Sequence, residues 1–204
     1  FFGLDVINLR EVPTDPAVLG PQARECMPRI LHAILKRPEH CTTTASYESL
    51  LYRGKQELRR RLKEAGLHRA FFFASLSSDT CVYKALTNSE DLSRFYLDLR
   101  DPQFTTRFTL FHRRFSTNTR STWDKAQPFR VLCHNGEINT IRGNRTWARS
   151  REIDLGLPPE ELLTRTEISD SGSLNEMVEA LTHRSSMRHV EDLLALLMPP
   201  AQAE

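Results

Sequence analysis

The chain has 204 residues, of which 39% are hydrophobic and 26% charged, and its net charge is +2. That length suits one domain with a sizeable core, and the composition is ordinary for a soluble globular protein. The small charge argues neither for nor against a nucleic-acid partner. The longest apolar runs, AFFFASL and LLALLM, are core-sized, which excludes a membrane-spanning helix.

The chain opens on Phe1-Phe2, with no initiator Met, basic n-region or signal h-region, and so reads as an internal fragment of a longer polypeptide. The four cysteines, Cys26, Cys41, Cys81 and Cys133, have no C-x-x-C spacing, so neither zinc nor an iron–sulfur cluster is expected here. Without a secretory signal the thiols are expected to be free, in a reducing compartment.

In chain order, LDVINL (Leu4–Leu9) predicts a strand that ends before Pro13 and Pro16. Pro21 to Lys36 alternates basic and apolar residues and fits either an extended strand or an irregular helix. RPEHCTTTAS follows as a polar loop. From Tyr47 to Ala65, Leu51, Leu58, Leu62 and Ala65 recur at helical spacing, with Gly66 placed to cap the end. Arg59, Arg60, Arg61 and Lys63 form a solvated face near that C-terminus, where the dipole favours cations. AFFFASL (Ala70–Leu76) and CVYKAL (Cys81–Leu86) flank Ser77-Ser78-Asp79-Thr80 and predict an antiparallel hairpin. Three consecutive phenylalanines, Phe71 to Phe73, suggest a strand covered on both faces. Thr87 and Glu90 have capping-box spacing ahead of a helix through Tyr96, and Ser173 and Glu176 repeat it ahead of Leu174, Val178 and Leu181. A last helix, Val190–Met198, is stopped by Pro199-Pro200. Helices beside antiparallel strands make the class α+β.

The chemistry concentrates between Phe111 and Arg151. Two short apolar runs, FTLF (Phe108–Phe111) and FRVLC (Phe129–Cys133), predict strands, each ending in a polar cluster. Such strand ends are where a rigid scaffold presents reactive groups. Arg113 and Arg114 offer guanidinium forks that match a carboxylate. Asn135 and Gly136 offer an amide and an unencumbered backbone N–H at a turn, which suits a developing negative charge. One cluster for a carboxylate and one for an oxyanion suggest acyl chemistry on an amino-acid-like substrate.

HRRFSTNT, W, AQPFR and HNGEINTIRGN, in that order, closely resemble the glutaminase domain of glutamate synthases. These are class II glutamine amidotransferases of the N-terminal-nucleophile hydrolase group. LREVPTD, SLSSDTCVYKALT, FYLDLRDPQF and SDSGSL extend the resemblance over nearly the whole chain, thinning in Cys26–Arg69 and after Met187. The resemblance implies a four-layer α/β/β/α sandwich, here incomplete, with residues 1–204 forming part of a single amidotransferase domain. Arg114, in H-x-R-F-S-T, would grip the substrate α-carboxylate, and the backbone carbonyl of Thr117 would help hold its amino group. Asn135 and Gly136 would form the oxyanion hole, and Asp170 would bind the substrate ammonium. Arg113 has no such match and is read as structural, and His134 is read as a hydrogen-bonded turn residue.

Two departures accompany the match. Asn175 stands where the family commonly has an acid. The family's nucleophile is an N-terminal cysteine whose own α-amine serves as base, whereas residue 1 here is Phe. The nucleophile is therefore expected in a segment upstream of LREVPTD, and this chain alone is expected to be inactive. Cys133, at the end of an apolar run, is read as a buried structural thiol. The implied partners are glutamine, a synthase domain in the same parent and an electron-donating subunit, with no nucleic acid and no membrane. FMN and an iron–sulfur cluster are implied for that synthase part and none for this segment. The implied location is cytoplasmic, or the plastid stroma for a plant or algal parent. Two alternatives stand beside this reading: a catalytically dead glutamine-binding or regulatory module, and a nucleic-acid-binding domain that uses the arginine clusters.

Overall fold

The computed structural model describes residues 3–114, 120–135, 138–157, 163, 165–186 and 189–198. Strands β1 (Asp5–Glu11) and β2 (Leu31–Lys36) pair antiparallel, with Asp5 opposite Lys36 and Glu11 opposite Leu31. The register slips between Val6 and Asn8, as a bulge does when one residue is left without a partner. Pro21 to Lys36, which the sequence left open, resolves into both of its alternatives. Helix α1 (Pro21–Glu25) starts on a proline, and β2 follows after Pro28.

Helix α2 (Thr44–Glu64) is the longest element. Thr43 and Ser46 close a reciprocal capping box at its start, and Gly66 at φ +71° sits just past its end, where an L side chain would be strained. Its buried stripe is Tyr47, Leu50, Leu51, Gly54 and Lys55, at i, i+3, i+4, i+7 and i+8. The expected Leu58 lies outside it, at 36% exposure. The approach at Gly54 is close: a Cβ there would meet the Leu4 side chain at 3.0 Å. On the opposite face Arg60 pairs with Glu57 and Glu64, and Arg61 with Glu57. Arg60 and Arg61 are thus paired with acids of their own helix.

A short 3-10 turn, Ser89–Asp91, leads into α3 (Leu92–Phe95), and the chain continues through α4 (Ile141–Asp154), α5 (Asp170–Arg184) and α6 (Val190–Leu197). Phe95, Tyr96, Trp123, Val12 and Leu19 make one core cluster. Cys41, Tyr47, Leu50 and Leu51 make a second, and Tyr52, Ala148, Leu163 and Ala180 a third. The second and third are joined through α2. Both capping boxes predicted downstream are corrected. The turn before α3 is capped at Asn88 without a side-chain bond. In α5 the cap is Ser169, which accepts the Gly172 N–H at 3.1 Å, while Ser173 lies inside the helix. Helix α6 matches its expected span to within a residue; Pro199-Pro200 lie outside the described residues.

The class is α+β, but among the described residues the only sheet is β1–β2. The hairpin of Ala70–Leu76 with Cys81–Leu86 and the strands at FTLF and FRVLC are not formed. Side chains have taken the backbone groups that a ladder would use. Ser75 Oγ accepts the Val82 N–H at 3.1 Å, and the Tyr96 hydroxyl donates to the Lys84 carbonyl at 2.7 Å. Asn175 Oδ1 accepts the Val131 N–H at 3.0 Å.

Candidate active site

The site is organised by the start of α5. Ser169 caps it, so Asp170 stands in the first turn, where a carboxylate is favoured by the helix dipole. Asp170 Oδ1 accepts the Ser171 N–H at 2.6 Å and the Ser171 hydroxyl at 3.3 Å, while Oδ2 accepts the Ile138 N–H at 2.9 Å. The role of helix-terminal acid, an alternative to substrate binding, is therefore realised in the geometry. One lone pair of Oδ2 has no donor among the described residues, since a carboxylate offers about four acceptor positions.

His134 and Ile138, on either side of Asn135, meet this helix start. His134 Nδ1 lies 3.2 Å from Ser171 Oγ, and its N–H donates to Gln127 Oε1 at 2.8 Å. Gln127 Nε2 in turn donates to the His134 carbonyl at 2.8 Å. His134 is thus hydrogen-bonded through its backbone and its ring, in an irregular stretch of chain and not a turn. Phe129 reaches the same helix start, and a Cβ on Gly172 would stand 3.4 Å from its ring. Asn135 is exposed. The HRR segment joins through Cys133, whose thiol donates to the Phe111 carbonyl at 3.3 Å and lies 3.8 Å from His112 Nδ1. Cys133 is half-buried, less than its apolar run suggested, and burial pushes its thiol up.

Of the five residues assigned from the sequence, the fold brings the Asn135 segment to Asp170. Arg114 is exposed, and no hydrogen bond or ion pair ties it to Asn135 or Asp170. Thr117 and Gly136 lie outside the described residues.

A buried polar lattice beneath the site escaped the sequence reading. Asn175 uses both ends of its amide, accepting from Val131 and donating through Nδ2 to Glu179 Oε1 at 3.0 Å. An acid at this position would set two carboxylates against each other, so the departure from the family pattern fits its surroundings. Glu179 pairs with Lys55, and both side chains are almost fully buried. Burial would raise the Glu179 carboxyl, but the Lys55 ammonium outweighs it and keeps the group ionised. Arg130, in AQPFR, pairs with buried Glu48. Burial opposes the charge on Glu48, but the Ser78 N–H at 2.5 Å, its hydroxyl at 2.8 Å and Arg130 together hold the carboxyl below the usual range. Arg145 of α4 reaches Ser173 Oγ at 2.9 Å and the Ile168 carbonyl at 2.8 Å, fixing α4 against the start of α5. Gln127 and Arg130 were legible only as members of AQPFR, where spacing alone gave neither a partner, and Lys55, Glu48, Arg145 and Glu179 lie in none of the motifs.

An amide and a carboxylate on apposed turns, near an arginine-bearing segment, are suited to holding an amino acid while its side-chain carbonyl reacts. The model of the family described as glutamine amidotransferases class-II matches residues 2–204, so the chain belongs to the class-II glutamine amidotransferases. Its relatives are glutamate synthases. It is 38% identical over 206 residues to the chloroplastic ferredoxin-dependent glutamate synthase of Spinacia oleracea, covering 98% of this chain and 12% of that protein. It is 39% identical over 208 residues to ferredoxin-dependent glutamate synthase 2 of Synechocystis sp., covering 97% and 13%. To the glutamate synthase (NADH) of Saccharomyces cerevisiae it is 36% identical over 213 residues, covering 98% and 10%.

Proposed function

We propose that this chain is part of the glutaminase domain of a glutamate synthase. Glutamine would be hydrolysed to glutamate and ammonia, and the ammonia passed to a synthase part that makes glutamate from 2-oxoglutarate. The observation that carries the reading is the apposition of the HNG segment and Asp170, joined at 2.9 Å through the Ile138 N–H. Asp170 would face the substrate ammonium and Arg114 its α-carboxylate, with the Thr117 carbonyl assisting. The Asn135 amide and the Gly136 N–H would receive the oxyanion. The nucleophile, a cysteine with a free α-amine, would come from a segment preceding residue 1. Residues 1–204 are then one portion of a single domain, and the family's four-layer α/β/β/α sandwich would be the architecture of the whole.

FMN and the iron–sulfur cluster would belong to the synthase part, with electrons from ferredoxin or a partner subunit. Among the described residues, no three His, Cys, Asp or Glu side chains converge to hold a metal ion. No helix of the described residues is long and apolar enough to cross a membrane. We place the parent in the cytoplasm, or in the plastid stroma if it is plant or algal. A dead regulatory module is not favoured, because relatives matching nearly the whole chain at 36–39% identity are glutamate synthases. The test is glutamate release from glutamine by the purified parent; no release, with the upstream cysteine intact, would overturn the proposal.

A further inference from the structure

We propose that Gln127 is a positioning residue for the oxyanion segment, a role that rests on the glutaminase reading above. Its primary amide makes two bonds to one residue, accepting the His134 N–H and donating to the His134 carbonyl, both at 2.8 Å. A neighbouring strand would supply the same pair of groups, and among the described residues none pairs there. The His134 carbonyl shares a planar peptide unit with the Asn135 nitrogen. Holding that oxygen therefore fixes the plane on which the Asn135 Cα is mounted, and with it the origin of the amide that would meet the oxyanion.

The clamp itself stands on a fixed base. Ala126, beside Gln127, is buried, and its N–H donates to the Thr122 carbonyl at 3.1 Å. Lys84, 5% exposed, donates to the Asp124 carbonyl at 3.2 Å and so ties down the same turn. On the far side Phe129 meets the start of α5 at Gly172, and its N–H donates to the Leu132 carbonyl at 2.8 Å. The His134 ring is held independently at Ser171. Residue 134 is thus restrained through its N–H, its carbonyl and its imidazole.

Only a primary amide of this length offers one donor and one acceptor at this reach. An ionised glutamate keeps the acceptor for the N–H and turns the other oxygen against the carbonyl. Once protonated, it regains a donor. The clamp therefore predicts a pH signature that a purely structural role would not give.

The experiment uses the purified parent glutamate synthase, unaltered and as Gln127→Ala and Gln127→Glu, with glutamine kinetics and backbone hydrogen exchange. Gln127→Ala is expected to lower glutaminase kcat by about 10- to 100-fold, the scale of misplacing a reacting group by about an ångström, with glutamine KM within about two-fold. The peptide carrying His134 and Asn135 should exchange faster, while α5 is unchanged. Gln127→Glu should be impaired at neutral pH, its kcat relative to the unaltered enzyme rising as pH falls toward about 5. Unchanged exchange at His134 overturns the clamp. Faster exchange with unchanged kcat, or a change confined to KM, overturns the positioning role. A parent that releases no glutamate overturns the glutaminase reading instead, and the exchange arm still decides whether Gln127 holds the segment.

Discussion

The Asp170 carboxylate accepts the Ile138 backbone N–H at 2.9 Å, so the first turn of α5 and the segment after HNG are joined by a single oxygen, Oδ2. In the proposed site that oxygen would also face the substrate ammonium, and substitution can separate this role from the tie to Ile138. Asparagine keeps a neutral acceptor for Ile138 but removes the charge; alanine removes both.

Asp170→Asn in the parent is expected to raise the glutamine KM by at least about 10-fold, because a charge-assisted bond contributes about 1.5–3 kcal/mol. Its kcat should fall less. Asp170→Ala should add a loss of kcat, since the Ile138 tie goes as well. Steady-state kinetics of the two variants decide it: equal behaviour would mean that the charge does nothing beyond holding the loop.

The two remaining described site residues should divide in the same manner. Asn135→Ala is expected to lower kcat by about two to three orders of magnitude, as removal of one oxyanion donor does, with little change in KM. Arg114→Lys should instead raise KM about 10- to 150-fold, because a point charge does not replace a planar fork. A KM effect alone in Asn135→Ala would remove it from the oxyanion site.

The Lys55–Glu179 pair, with side chains 6% and 4% exposed, tests the lattice under the site. Lys55→Met should destabilise the domain by about 3–5 kcal/mol, because Glu179 is left buried without its counter-ion. The double variant Lys55→Met/Glu179→Leu should recover much of the loss. Protease susceptibility of α2 and α5 across a urea series measures both. A double variant as unstable as the single one would show that Asn175 and its neighbours depend on the charge itself.

His183 supplies a pH prediction. Burial, followed by the repulsion of Arg130, lowers its pKa from about 6.5 to about 4, and its Nδ1 sits 3.3 Å from Ser49 Oγ. Above pH 6.5 the ring is neutral in both the folded and the unfolded chain and contributes nothing to the pH dependence. Between about 6.5 and 4 the unfolded chain takes up the proton first, so stability falls as pH falls, by about 3 kcal/mol across the window. Unfolding free energies of unaltered protein and His183→Gln from pH 7 to 4 should diverge accordingly. Parallel curves would exclude His183 as the source.

The sequence shows helices best where a long apolar stripe and a cap coincide. In α2 the spacing and Gly66 are both legible, whereas the capping box puts Ser46 at N3 in place of the usual Glu or Gln and so lacks the sequence signature. The strands failed for a physical reason. FRVLC has strand composition, but whether its amides join a ladder depends on distant side chains, and Asn175 takes the Val131 N–H, while Gln127 takes that of His134 just beyond the run. Asp170 was assigned from its motif, and its apposition to the HNG segment followed. Gln127, Lys55 and Glu48 act through partners 7, 124 and 82 positions away, separations that carry no periodic signal.

The last prediction is that the 204-residue polypeptide, by itself, does not release glutamate from glutamine. Amide cleavage needs a nucleophile, a base within hydrogen-bond reach of it, and donors for the oxyanion. Asn135 and Asp170 can serve recognition and charge, but neither attacks a carbonyl here. Of the four thiols, Cys41 is buried in an apolar cluster, and Cys26 donates to the Gln22 carbonyl at 3.2 Å on α1. Cys81 is pushed up by burial, with the Asp98 charge adding to the rise and Arg10 opposing it. Cys133 alone adjoins the HNG segment. Its thiol is also pushed up by burial and is spent on the Phe111 carbonyl, so little thiolate forms near neutrality. Among the described residues, His112 Nδ1, at 3.8 Å, is placed to take its proton. The measurement compares glutamate release by the polypeptide, by its Cys133→Ser variant, and by a longer protein carrying the natural preceding segment. Release by the longer protein alone is the expected result. Turnover by the 204 residues that vanishes in Cys133→Ser would make Cys133 the nucleophile and His112 its base.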